Sequence, residues 1–104
     1  MREVTALTTE VDLLADRLRS LPQSALLRGA AAEGRELAGE LARRAQLLEF
    51  PDRAPQALPD AGPFAVGDQV AVAGHDLAQV LGTSGTARQL EEAVDLVARV
   101  RARR

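Results

Sequence analysis

Residues 64–81 read FAVGDQVAVAGHDLAQVL, and the period assigned to this stretch decides the fold. As a strand, it would place Val66, Asp68, Val70 and Val72 on one face, because side chains alternate along an extended chain. A Gly-Asp turn before alternating valines also resembles the strand openings of small β-barrels, but Asp68 puts a charge on the face that has to be buried. As a helix, Val66, Val70, Ala73, Leu77, Val80 and Leu81 fall on a single stripe at three- and four-residue spacing. That stripe runs on unbroken through HDLAQVL, and Gly82 follows where a helix C-terminal glycine is expected. The spacing predicts a helix over 68–81, with the strand reading competing only over residues 64–72.

On the C-terminal side, GTSGT (residues 82–86) reads as a turn, and Thr86 with Gln89 forms a capping box for a helix over 87–101. That helix would bury Leu90, Ala93, Val94, Val97 and Val100. On the N-terminal side, Pro51, Pro55, Pro59 and Pro63 recur every fourth residue, a density that no regular helix or central strand survives. Residues 51–63 are therefore expected to form an extended crossover, tacked down by Leu58, Phe50 and Phe64, that carries the chain back along a long preceding helix.

The long helix is expected over 25–50, with Ser24 as its N-cap. Its stripe is Leu27, Ala31, Gly34, Ala38, Leu41, Ala45 and Leu48, widened by Leu26, Ala30 and Leu37. At 1.5 Å per residue it would measure on the order of 39 Å, enough to span the domain. Gly34 has a packing reason in this pattern, whereas Gly29 and Gly39 have none. The first helix, over 3–20, carries Val4, Leu7, Val11, Leu14, Leu18 and Leu21 on one face and ends before Pro22. Its 3-4 repeat is too short to claim a coiled coil. The expectation is an all-α, single-domain, antiparallel-leaning bundle of about four helices over residues 1–104, with a long second helix and a Pro-rich crossover.

Composition agrees. Hydrophobic residues make up 46% of the 104, yet only Phe50 and Phe64 are aromatic, so the core has to be built from Leu, Ala and Val. Alanine removes little apolar area from water, and such a core needs closely approaching helix backbones. The absence of cysteine excludes disulfides, thiolate metal sites and a cysteine nucleophile. Every basic side chain is Arg, a bias that reads as the codon composition of a GC-rich, bacterial genome. With a formal net charge of −2, the chain has no general attraction to nucleic acid or to an anionic membrane surface. The acidic, discontinuous N-terminus fits neither a signal nor a transit peptide. No apolar run approaches a membrane span. A cytoplasmic protein is expected.

No catalytic, cofactor-binding or metal-binding set emerges. His75 is the only histidine, and its neighbour Asp76 points elsewhere on a helix. A solvated surface histidine explains it. Ser84 sits in Gly-Thr-Ser-Gly-Thr, which lacks the closing glycine of a nucleophile elbow, and helix capping accounts for the stretch. Glu33, Glu36 and Glu40 with Arg35, Arg43 and Arg44 read as ordinary charge patterning on the long helix. Two features remain. The seam Leu27, Ala31, Gly34, Ala38 and Leu41 invites close packing by a helix, which suggests a non-enzymatic protein-interaction module, most simply a homodimer. Arg99, Arg101, Arg103 and Arg104 suggest the alternative, a small regulator whose C-terminus contacts nucleic acid or an acidic partner. Glu91, Glu92 and Asp95 precede them, and no aromatic residues interleave for base stacking, so nucleic acid is disfavoured.

Overall fold

The computed structural model describes residues 1–104 and contains four main helices and no strand. Helix α1 is Thr5–Ser20. Helix α2 occupies residues 23–49 as a short turn Gln23–Ala25, a π-helical turn Leu26–Ala30 and the body Ala31–Glu49. After the crossover, a 3-10 turn Pro63–Ala65 leads into α3, Val66–Ser84, and α4 is Ala87–Arg103. The stretch with two competing periods is helical from Val66 onward. Val66, Val70, Ala73, Leu77 and Leu81 are buried on the expected stripe, and Val80 lies at its edge.

The helices form a ring in the order α2, α3, α1, α4. Helices α1 and α3 run antiparallel: Val4 lies against Gly82, Val11 against Gly74 and Ala15 against Gly67. Helices α2 and α3, the most extensively packed pair, run parallel, with Gly34 beside Val66 and Leu48 near Leu77 and Leu81. This departs from the antiparallel lean expected from the sequence, and the crossover is the reason. It returns along α2, held by paired hydrogen bonds between Gln46 and the Gln56 backbone, by an Arg35–Asp60 ion pair at 3.1 Å and by Gln69 donating to the Pro59 carbonyl. Leu58 packs against the core, whereas Phe50 and Phe64, expected to pin the loop, are exposed. At 27 residues, α2 matches the 40 Å long axis of the molecule.

Three local expectations change. Ser24 makes no capping bond; α2 starts two residues earlier, at Gln23 after Pro22, whose extended backbone already sets the entry. Gly82 does not end α3, which continues to Ser84 with Gly85 as its cap. Gly82 is instead buried within the helix, and its carbonyl accepts the Arg2 backbone N–H at 2.7 Å. The third change concerns Leu27. The helix is kinked at Gly29, whose φ of 141° and ψ of −23° are not helical, and on the N-terminal side of the kink Leu26 faces the core while Leu27 is 66% exposed. A φ of 141° is a conformation that side chains with a Cβ rarely adopt.

The capping box of α4 is present in full. Thr86 Oγ1 accepts from the Gln89 backbone N–H at 3.1 Å, and Gln89 Oε1 accepts from the Thr86 N–H at 2.9 Å. Thr86→Ala is expected to lower stability by about 1 kcal/mol, read as a shift in urea midpoint, with Thr86→Ser close to wild type.

Close packing depends on small residues. A Cβ on Gly34 would lie 2.6 Å from Val66 Cγ2, one on Gly74 2.5 Å from both Val11 methyls, and one on Gly67 3.0 Å from the Ala15 carbonyl. These glycines draw α2, α3 and α1 together. Neither side that α4 makes, with α1 or with α2, has such a contact.

Candidate functional site

The side chains that α2 turns toward α4 are mostly long: Glu33, Leu37, Glu40, Arg44 and Leu48. A groove in two halves lies along this side of the bundle. Its lower half, a cleft of about 410 Å³, has Leu47, Leu48, Leu77 and Leu81 on its walls, with Arg43, Arg44, Gln89 and Glu92 at the rim. The upper half, about 510 Å³, is lined by Leu37, Leu96 and Val100 beneath Glu36, Glu40 and Arg103. Arg43 and Arg44 stand between the two halves and line both. Gly39 lies on the α2 rim with no atom within 4 Å of the position its Cβ would take.

Ion pairs close the upper end. Glu33 accepts from Arg103 Nε and Arg104 Nε, each at 2.7 Å. Burial is the largest influence on the Glu33 carboxyl and opposes its ionisation. The bonds from Arg104 and Arg103 together overcome that, and the group stays below the usual carboxylate range. Midway along α2, Arg43 binds Glu40 with two bonds of 2.8 Å, and Arg44 adds a third at 2.9 Å. The Arg43 guanidinium, against partial burial and helped by Arg44, brings the Glu40 carboxyl down to about 2. One carboxylate between two guanidinium groups leaves this part of the α2 rim with a net positive charge. On the facing helix, Glu92 is bonded only to Arg88, at 3.2 Å, and both side chains are largely exposed.

The residues singled out from the sequence divide between core and surface. Ala31, Gly34, Ala38 and Leu41 are buried in the chain's own core, where Val66 and Leu18 cover Gly34. The helix that the seam accommodates is thus α3 of the same chain. Leu27 faces solvent, two residues before the kink at Gly29. Among the C-terminal arginines, Arg101 reaches across to Glu10 on α1, with bonds of 2.6 and 3.1 Å, and Arg103 and Arg104 hold Glu33. Arg99 alone is exposed without an ion pair. A polyanion at this tail would have to displace Glu10 and Glu33.

His75 is bonded through Nε2 to Asp12 on α1 at 2.7 Å, with both side chains about half exposed. Asp76 lies instead on the cleft between α2 and α3. The Ser84 hydroxyl has only the Thr83 hydroxyl as a side-chain partner, so no base activates it. No three His, Cys, Asp or Glu side chains gather as a metal site would require. No helix is long and apolar enough to cross a membrane. No protein-family model, curated protein or solved structure matches the chain.

Sequence reasoning missed the groove because it depends on the distance between two helices far apart in the chain, rather than on the pattern of either. One signal was available: the Glu and Arg positions of α2 lie on the flank of its apolar stripe, where a tightly packed neighbour would need small or apolar residues.

Proposed function

We propose that the chain is a non-enzymatic helical interaction module that self-associates, using the open side of the bundle between α2 and α4. The observation that carries this reading is the groove itself. Two sides of the ring, α2–α3 and α1–α3, are drawn together through glycines, and the side between α2 and α4 keeps part-exposed leucines along a trough rimmed by charge. A second copy laid rim to rim over such a trough shields its part-exposed leucines from water and matches its charges to the rim.

A second copy is the simplest partner, because closed two-fold association is the commonest form of homo-oligomer. The cysteine-free, acidic composition suits a bacterial cytoplasmic protein.

Light scattering at micromolar concentration is expected to return twice the chain mass of 11.1 kDa, falling toward that mass on dilution. A strict monomer over the whole concentration range, with undiminished helical circular dichroism, would overturn self-association.

A further inference from the structure

The charges along the two rims of the groove are ordered. On α2 the upper part carries Glu36, exposed and without an ion pair, and the lower part carries Arg43 and Arg44 in net excess over Glu40. On α4 the order is reversed in sign: Arg103, itself bonded to Glu33 of α2, stands at the upper end, and Glu92, bonded to Arg88, at the lower. Because α2 and α4 run antiparallel, with Glu33 at Arg103 and Leu48 near Gln89, residues at one level of the groove carry opposite charge on its two sides. Arg43 and Glu92 nonetheless bond to neighbours on their own helices rather than to each other.

We propose that a second copy of the chain docks on this groove about a two-fold axis running along it, so that Arg43 of each copy meets Glu92 of the other and Glu36 meets Arg103. This rests on the self-association reading and specifies its interface. Rotation by 180° about that axis keeps every residue at its own level while exchanging the two rims. The α2 rim of one copy therefore lies over the α4 rim of the other, and the reversed charge order puts unlike charges together at both ends. Rotation about an axis across the groove would instead set α2 on α2. Between the charged levels, Leu47 and Leu96, half-buried in the single chain, lose their remaining contact with water. The part-exposed Leu47, Leu48 and Leu96 supply the burial and the ordered charges fix the alignment, the division of labour usual at protein interfaces.

Charge exchange tests the arrangement. In an Arg43→Glu homodimer the introduced carboxylate faces Glu92 at both contacts, and in a Glu92→Arg homodimer the introduced guanidinium faces Arg43 at both. Like charges set against each other at an interface weaken each dimer by on the order of a hundredfold in Kd. An equimolar mixture of the two variants forms a heterodimer in which one contact keeps its natural Arg43–Glu92 pair and the other carries the same pair with its charges exchanged. Both contacts are attractive, and the affinity is expected to return to that of the wild type. Sedimentation equilibrium of wild type, each variant and the mixture reads all four states, with circular dichroism confirming that each variant is folded. If Arg43→Glu unfolds because of its proximity to Glu40, Glu92→Arg alone carries the test, since it sets like charge against Arg43 of the other copy without touching Glu40. A wild-type dimer whose variants associate undiminished, or whose mixture is no tighter than the variants alone, overturns this interface and leaves self-association standing. A monomeric wild type overturns self-association itself.

Discussion

Leu41→Ala is expected to lower the free energy of unfolding by about 3–4 kcal/mol, near the upper part of the range for buried leucines. Leu41 is fully buried at the middle of α2, the helix that packs most extensively on the rest of the bundle. Its neighbours explain why the loss falls high in the range. The fully buried large side chains are only Leu and Val, ten in all, and the space between them is filled by alanine and by glycine backbone. Short side chains have little reach, so they cannot swing into the space a leucine leaves, and the cavity stays open. A domain of this size has a total stability on the order of 5–15 kcal/mol, so the variant should be visibly destabilised in urea with little change in m. Protein concentration has to be held fixed in the comparison, because association adds to apparent stability. A shift below about 1 kcal/mol would mean that α2 does not seat its stripe on α3 and α1 as described.

The same reliance on small residues explains which parts of the structure were legible in the sequence. Leu, Val and Ala at three- and four-residue spacing identified four helices and their inward faces, since each helix has to bury one side whatever it packs against. The proline period identified the crossover, and Thr86 with Gln89 identified the start of α4. The kink in α2 was not legible. Gly29 was visible, but only the backbone shows that it stands at φ 141°. Nor could pattern alone reveal which helix each seam meets. Ala31, Gly34 and Ala38 read as a surface awaiting a partner, and the crossover delivers α3 to cover it. The arginines at the C-terminus read as free charges because their partners, Glu10 and Glu33, lie 91 and 70 positions away. The groove depends on what is missing between two helices, and side-chain length along one flank of α2 was its only trace.

Gly74→Ala and Gly39→Ala are expected to change stability in opposite directions, although both glycines lie within α-helices and the substitution is the same. Helix propensity alone favours alanine at each by up to about 1 kcal/mol. At Gly39 nothing lies within 4 Å of the new methyl, so that gain should be realised, and the variant should be about 0.5–1 kcal/mol more stable. At Gly74 the methyl would stand 2.5 Å from both Val11 Cγ atoms and 3.1 Å from Val11 Cβ. A β-branched side chain has one strongly preferred rotamer on a helix, so Val11 cannot turn its methyls away, and α1 has to move as a unit. Overpacking of this kind costs about 1–3 kcal/mol and outweighs the propensity gain. The effect should extend beyond residue 74, because Gly67 and Gly82 keep the same two helices close at the seam's ends and oppose a local tilt. Coupling to Val11 separates this cause from a general loss of fit. Val11→Ala alone opens a cavity and destabilises, yet combined with Gly74→Ala it makes room for the added methyl, so the double variant should be more stable than the sum of the two losses. Additive losses, or a stabilised Gly74→Ala, would show that α1 and α3 do not meet methyl against backbone, and the packing that leaves α2 and α4 apart would lose its explanation.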